Sequence, residues 1–308
     1  MPPRVSPMAV EPPTSQARDM THDPVLVIGG TGKTGRRVTA RLQANGTPVR
    51  VASRSGATRF DWLDETTWNA ALTGVAAAYI VPLDSANRTG ALVRRAVDLG
   101  VTRLVLLSSR GVDTVGYFGT EDLAGEGHLA GEAALRASSA DWTILRPGWF
   151  AQNFSAEPFL SPILRGELRL PTADGAATFI DVEDIAEIAV AALTTDDRTH
   201  IGQTYELSGP RPLTIAEALA EISAVTGHQA RHVPVTVENF IAELVEQGAP
   251  AAEAEIWASA LLPIRDGLEA RVSDGVRRAL GREPRDFTDY VTAAAAAGAW
   301  RASEKDPG

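Results

Sequence analysis

Cysteine is absent from the 308 residues, which excludes disulfides, thiolate catalysis and cysteine-based metal sites. Lysine is almost absent as well, with Lys33 and Lys305 as the whole supply. No apolar run reaches the roughly 18 residues that a membrane-spanning helix needs. There is no basic excess: the formal net charge is −10, which argues against nucleic acid and anionic membranes as partners. No Gly-x-Ser-x-Gly elbow occurs, so a serine hydrolase is not expected. His228 and His232 are four apart with no third ligand motif nearby; they read as surface residues, and no metal site is expected. Residues 1–22 carry Pro2, Pro3, Pro7, Pro12 and Pro13 among polar neighbours and lack an apolar core segment. They read as a disordered tail rather than a secretory signal, and the protein as cytoplasmic.

What is present is an ordinary globular composition, 44% hydrophobic and 22% charged, organised around one stretch near the start. Val25 to Ile28 is an unbroken apolar run, as in a strand buried on both faces. Gly29, Gly30, Gly32 and Gly35 follow, and Val38 and Leu42 then mark one face of a helix. Strand, glycine turn and helix N-terminus together make an anion site, because free amides and the helix dipole both favour a pyrophosphate. Gly32-Lys33-Thr34 also matches the end of a P-loop, but the first glycine of that pattern would fall on Val27, inside the strand. Nucleotide hydrolysis is therefore not expected.

Apolar strands at 48–52, 76–81, 103–108 and 142–146 alternate with helical stretches at 87–99 and 128–137. The expected fold class is α/β, a Rossmann-type doubly wound parallel sheet. Residues 23–154 plus 176–211 form the expected dinucleotide domain, with Thr178–Asp181 and Tyr205–Leu207 as further strands. A smaller, mostly helical substrate lobe is expected from 155–175 plus 212–308.

An acid about 20 residues past the glycines would bind the ribose 2′-hydroxyl. Arg54 stands there instead, with Ser53 and Ser55 beside it. An arginine pairs bidentately with a 2′-phosphate, so NADPH/NADP is the expected cofactor. Gly29, Thr31, Gly32, Lys33, Thr34, Gly35, Ser53 and Arg54 are its expected contacts, with Lys33 reaching for the same phosphate as Arg54. Val81, Pro82, Ser108 and Pro147, at strand ends, complete the set. The expected substrate pocket is walled by Leu83, Ser109, Trp149, Phe150, Asn153 and Phe154, with Asp113, Glu121 or Asp122 available to favour a cationic substrate. The partner is then a small molecule and the protein a monomer or homodimer.

The glycine turn, Arg54, Phe60-Asp-Trp-Leu-Asp-Glu-Thr-Thr-Trp68, Leu106-Leu-Ser-Ser109, Leu145-Arg-Pro-Gly-Trp-Phe150 with Asn153, and Phe179-Ile-Asp-Val-Glu-Asp-Ile185 together resemble the NmrA-like, atypical short-chain dehydrogenase/reductase family. Gly29–Thr34 and the Phe-Asp-Trp-Leu stretch are most similar to its festuclavine dehydrogenase branch. The resemblance implies NADPH-dependent reduction of an iminium, enone or quinone; it equally implies, as the alternative, a redox sensor that binds NADP without turning it over. Ordinary short-chain dehydrogenases use a Tyr-x-x-x-Lys pair as proton donor. None of Tyr79, Tyr117, Tyr205 and Tyr290 has a lysine four residues on. His128-Leu-Ala-Gly-Glu132 takes that place, at i,i+4 on one helix face. His128 can donate a proton, contact the nicotinamide ribose, or serve only as a helix residue bonded to Glu132. Tyr117 and Ser108 are the other candidate catalytic groups. Hydride addition to an iminium gives a neutral amine and needs no acid, which accommodates the missing dyad.

Overall fold

The computed structural model describes residues 23–83, 87–119 and 125–301. The expected tail at 1–22, and Glu121, Asp122 and Lys305, lie outside the described residues. The first half alternates β1 (Val25–Ile28), α1 (Gly35–Ala44), β2 (Val49–Ser53), β3 (Thr58–Arg59), α2 (Trp68–Leu72), β4 (Ala77–Ile80), α3 (Thr89–Asp98), β5 (Arg103–Leu107), α4 (Glu126–Arg136) and β6 (Asp141–Pro147). Then come α5 (Leu160–Leu164), β7 (Glu167–Leu170), β8 (Ala176–Ala177), α6 (Val182–Thr194), β9 (Gln203–Leu207), β10 (Leu213–Thr214), α7 (Ile215–Thr226) and β11 (Arg231–Pro234). The chain closes with α8 (Val237–Glu246), α9 (Ala251–Arg265), α10 (Gly275–Leu280) and α11 (Phe287–Ala296).

Seven strands form one parallel sheet in the order β3-β2-β1-β4-β5-β6-β9. This is the doubly wound sheet expected from the sequence. Strand residues alternate between its two faces. Val25, Val27, Tyr79, Val105 and Leu145 pack with Val38 and Leu42 of α1 and the apolar face of α6. Leu26, Ile28, Ile80, Leu104, Leu106 and Ile144 pack with residues of α2 and α3 and with Leu135 of α4. Both faces are covered, which is why these strands read as continuous apolar runs. The order reverses between β1 and β4, and a crevice opens at the carboxyl ends of strands at such a switch point.

A third apolar core lies beyond the strand ends. Phe154, Phe159, Leu168, Phe179, Leu219, Phe240, Leu261 and Phe287 build it, from α5, β7 and the C-terminal helices among others. β7 pairs with β11, and β8 pairs with β10. α7 starts on a reciprocal capping box, Thr214 with Glu217.

Three expectations change. Thr178–Asp181 is not a strand, since only Ile180 bridges, to Phe150. The Thr178 amide donates to the Glu269 carbonyl (3.0 Å) and its own carbonyl accepts from Gly209 (3.1 Å), so no ladder is left for it. α9 runs on to Arg265 through Pro263, past its expected end near residue 260. α10, unforeseen, leaves the C-terminal core and returns to the sheet, with Val276 buried against it. Arg282 and Arg285, just after α10, pair with the fully buried Asp184 and with Glu187 of α6.

Candidate functional site

The glycine turn joins β1 to α1 at the switch point. Gly29 has φ +74°, a conformation that costs an L side chain energy. Gly35 carries the close approach of helix to strand: a Cβ there would lie 2.3 Å from the Gly29 carbonyl oxygen and 2.8 Å from the Gly30 Cα. The Gly35→Ala variant should therefore shift backbone, costing roughly 1–3 kcal/mol of stability and weakening dinucleotide binding; a melting curve and a cofactor titration check both. Thr34, at the N-cap of α1, makes no side-chain capping bond, so the helix end is not closed by its own sequence. That suits an external anion.

A cavity of about 280 Å³ lies on one side of the turn, lined by Gly29, Thr31, Ser53, Arg54 and Ser55. Phe60 to Leu63 close its far wall. Their shape comes from an aromatic cluster: Phe60 meets Trp62 edge-on at 5.3 Å and stacks on Trp68 at 6.2 Å. The Trp68 indole donates to the Asp61 carbonyl (2.9 Å). Arg54 is exposed and has no ion-pair partner among the described residues, so its guanidinium is available. Leu83, expected in the substrate pocket, lines this cavity instead.

A second cavity, of about 360 Å³, lies at the ends of β4, β5 and β6. Val81, Pro82, Ser108 and Pro147 line it with Lys33, Ser109, Phe118, His128, Trp149, Phe150 and Asn153. Trp257 and Ala260 of α9, and Glu269, close it from the C-terminal region. The segment after β6 is fixed by two bonds, from the Ile180 amide to the Trp149 carbonyl and from the Ala151 amide to the Ile180 carbonyl (both 2.9 Å). These hold Trp149 and Phe150 at the cavity wall.

Two buried charge clusters flank this cavity, and neither was anticipated from the sequence. Behind Ser108 sits Glu132, fully buried. The Ser108 hydroxyl donates to Glu132 Oε1 (2.6 Å), and Arg146 donates to both of its oxygens (2.8 and 2.6 Å). Burial pushes the Glu132 carboxyl up, but Arg146, Ser108 and Arg136 together hold it below the usual range. Arg146 also pairs with Asp113, which is thereby committed and does not line the cavity. On the other side, Tyr117 donates to Glu269 Oε1 (2.9 Å), and Arg110 lies 3.5 Å from Oε2. Burial pushes the Glu269 carboxyl above its usual range, against the pull of Arg110 and Tyr117.

Several expected site residues are placed differently. Tyr117 is buried, with its hydroxyl turned to Glu269; burial and that carboxylate push its phenol far above the usual value, so it does not face the cavity as an acid. Phe154 is fully buried in the C-terminal core, edge-on to Phe159, Phe179 and Phe287, and is no pocket wall. Lys33 does not lie with Arg54: its ammonium donates to Asn153 Oδ1 (2.7 Å) and to the Glu157 carbonyl (2.6 Å). Burial holds that ammonium below the usual lysine range, Arg36 pushes the same way, and Glu157 partly opposes. His128 is half-buried on the first turn of α4 and lines the cavity, while the adjacent Glu132 carries Ser108 and Arg146. His228 and His232 are half-buried rather than surface residues, bonded to the Ile163 carbonyl (2.8 Å) and Thr172 (3.2 Å). No metal-binding cluster occurs among the described residues. No helix among them is long and apolar enough to cross a membrane.

Residues 29–196 match a family model described as NAD(P)H-binding. Over 291 residues the chain is 35% identical to the uncharacterized oxidoreductase YesF of Bacillus subtilis, covering 90% of this chain and 97% of that one. It is 33% identical over 290 residues to agroclavine dehydrogenase of Claviceps fusiformis, covering 87% and 96%. The chain is an NmrA-like, atypical short-chain dehydrogenase/reductase. This NAD(P)H-dependent oxidoreductase family shares its fold with two solved structures. One is the NADPH-dependent quinone oxidoreductase QOR2 of Escherichia coli (TM-score 0.71, 22% identity, 87% of this chain and 98% of that one). The other is NmrA, a negative transcriptional regulator in complex with NAD (TM-score 0.67, 16% identity, 91% and 99%).

Proposed function

We propose that this oxidoreductase uses NADPH to reduce a small apolar or cyclic acceptor, an iminium, enone or quinone, without a Tyr-x-x-x-Lys dyad. The observation that carries this reading is the second cavity. Its one wall is the set of strand ends Val81, Pro82, Ser108 and Pro147, and its other wall is Trp149, Phe150 and Trp257. An aromatic chamber opposite those strand ends suits a small apolar acceptor. The residues present fit a phosphorylated dinucleotide: an uncapped helix end, a glycine turn without room for a Cβ, and an available Arg54.

When bound, the nicotinamide supplies hydride. Arg54 would hold the 2′-phosphate, and the turn amides of Lys33 to Gly35 would hold the pyrophosphate, the Gly32 amide being already bonded to the Gly29 carbonyl (2.9 Å). The Ser108 hydroxyl donates its hydrogen bond to Glu132, so its oxygen is left to face the site as an acceptor for a donor group there. Trp149, Phe150 and Trp257 exclude water from the acceptor. An iminium takes up hydride without an acid. An enone or quinone needs a proton, and Lys33, His128 and Glu269 are side chains lining the cavity that can carry one.

The purified protein, given NADPH and a panel of quinones, enones and cyclic imines, should consume nicotinamide absorbance with at least one class. Tight NADP binding with no turnover on any of them would instead make it the non-catalytic sensor. Redox chemistry on a small molecule, as the name agroclavine dehydrogenase states, supports the first outcome.

A further inference from the structure

A third cavity, of about 390 Å³, lies behind the reaction chamber. Phe159, Leu168, Leu170, Phe240, Leu244 and Leu261 supply its apolar surface, from α5's N-cap, β7, α8 and α9. At its edge Arg169 of β7 pairs with Glu243 of α8 (2.8 Å), so apolar walls stand beside a polar rim. The two cavities share one wall residue, Trp257 of α9. Trp257 is 40% exposed, unusual for so large an apolar side chain. Trp149, on the reaction side, stacks on Phe159, on the far side, with ring centres 5.9 Å apart and planes within 10°. Trp257 leans on Trp149 at 6.4 Å. Aromatic rings thus form part of the partition between the cavities, beside Ala260 and Leu261 of α9, which line one cavity each.

We propose that the two cavities are one divided substrate site: the reducible end of the acceptor lies against Ser108 and Pro147, and its uncharged apolar body passes Trp257 into the compartment between β7 and α8. Ligand sites usually measure ~300–1,000 Å³, so either chamber alone is small and the pair holds a larger, elongated acceptor. Of the charged residues that line the compartment, Arg165 and Arg169 are exposed, Glu167 is paired to Arg231 and Arg169 to Glu243. This fits an alkyl or fused-ring body rather than an ionic one.

The inference rests on the reductase reading and is tested separately from it with 2-alkyl-1,4-naphthoquinones of increasing chain length. With NADPH saturating, kcat/KM should rise by up to about fourfold per buried methylene until the compartment is full. Leu244→Trp, which fills the compartment from α8, should flatten that rise, bringing the long-chain compounds down toward the 2-methyl one. Independently of any variant, hexylbenzene, which has no reducible group, should compete with the long-chain quinones and spare the 2-methyl one. A flat series in the wild type, or a slope untouched by both Leu244→Trp and hexylbenzene, would overturn the divided site. Tryptophan quenching by the same series reads binding without turnover. Chain-length-dependent quenching with no reduction would count against the reductase reading and for the compartment.

Discussion

Replacing Arg54 with alanine will weaken NADPH binding by roughly 10- to 100-fold, the worth of a charge-assisted phosphate contact, while NADH binding stays within about a factor of two. The difference arises because Arg54 stands just past β2 at the cavity wall and has no ion-pair partner among the described residues. Its whole interaction is thus available to the 2′-phosphate, a group that NADH lacks. Arg54→Lys should recover only part of the loss, since an ammonium gives charge without the bidentate fork. Arg54→Glu should go further and favour NADH, because a carboxylate repels the phosphate and accepts from a 2′-hydroxyl. Paired titrations of the two cofactors decide the matter. An equal loss for both would remove Arg54 as the discriminating group and leave Ser53, Ser55 and the Phe60–Leu63 wall to explain any preference.

Glu132→Ala will cost roughly 3–5 kcal/mol of stability, the expected penalty for stripping one partner from a buried ion pair. Arg146, itself 5% exposed, would keep only Asp113 at the surface, and the Ser108 hydroxyl would lose its acceptor. Glu132→Gln should cost less, because the amide oxygen still accepts from Ser108. Replacing Glu132 and Arg146 together with leucine should recover part of the loss, since no uncompensated charge is left behind. The effect also has a sign in pH. Glu132 is held below the usual carboxylate range in the fold, so its stabilisation is present above the unfolded-state pKa and disappears as pH falls through the lower folded value. Denaturant unfolding of the three variants, repeated at mildly acid pH, measures both. A loss under ~1 kcal/mol for Glu132→Ala would show that the cluster is dispensable to the fold.

The sheet was legible because its physics is local. A strand buried on both faces must be apolar throughout, and Val25–Ile28, Ala77–Ile80 and Arg103–Leu107 nearly are. The cofactor turn was legible for a similar reason, since its glycines answer backbone demands set within a few residues. What resisted reading was everything decided by distant partners. Thr178–Asp181 has the composition of a strand, yet Glu269 and Gly209 take its backbone groups. Lys33 looked like a phosphate ligand, but its ammonium meets Asn153, 120 residues away. Tyr117 looked like a free acid until Glu269, 152 residues on, claimed its hydroxyl. Phe154 stands beside genuine cavity residues in sequence, and only packing turns it into the core. Glu132 was noticed for its spacing from His128, while its bonds to Ser108 and Arg146 depend on how α4 meets β5 and β6.

The return of α10 to the sheet changes how this molecule can be engineered. Because Val276 and the Arg282–Arg285 contacts with α6 follow α9 but precede α11, the C-terminal core is stitched into the seven-stranded sheet layer rather than appended to it. A chimera that exchanges everything after β10 for a relative's sequence would also exchange a packing layer of the sheet. The transplantable cassette is therefore two pieces, one before residue 275 and one after 285, with the native splint between them kept in place.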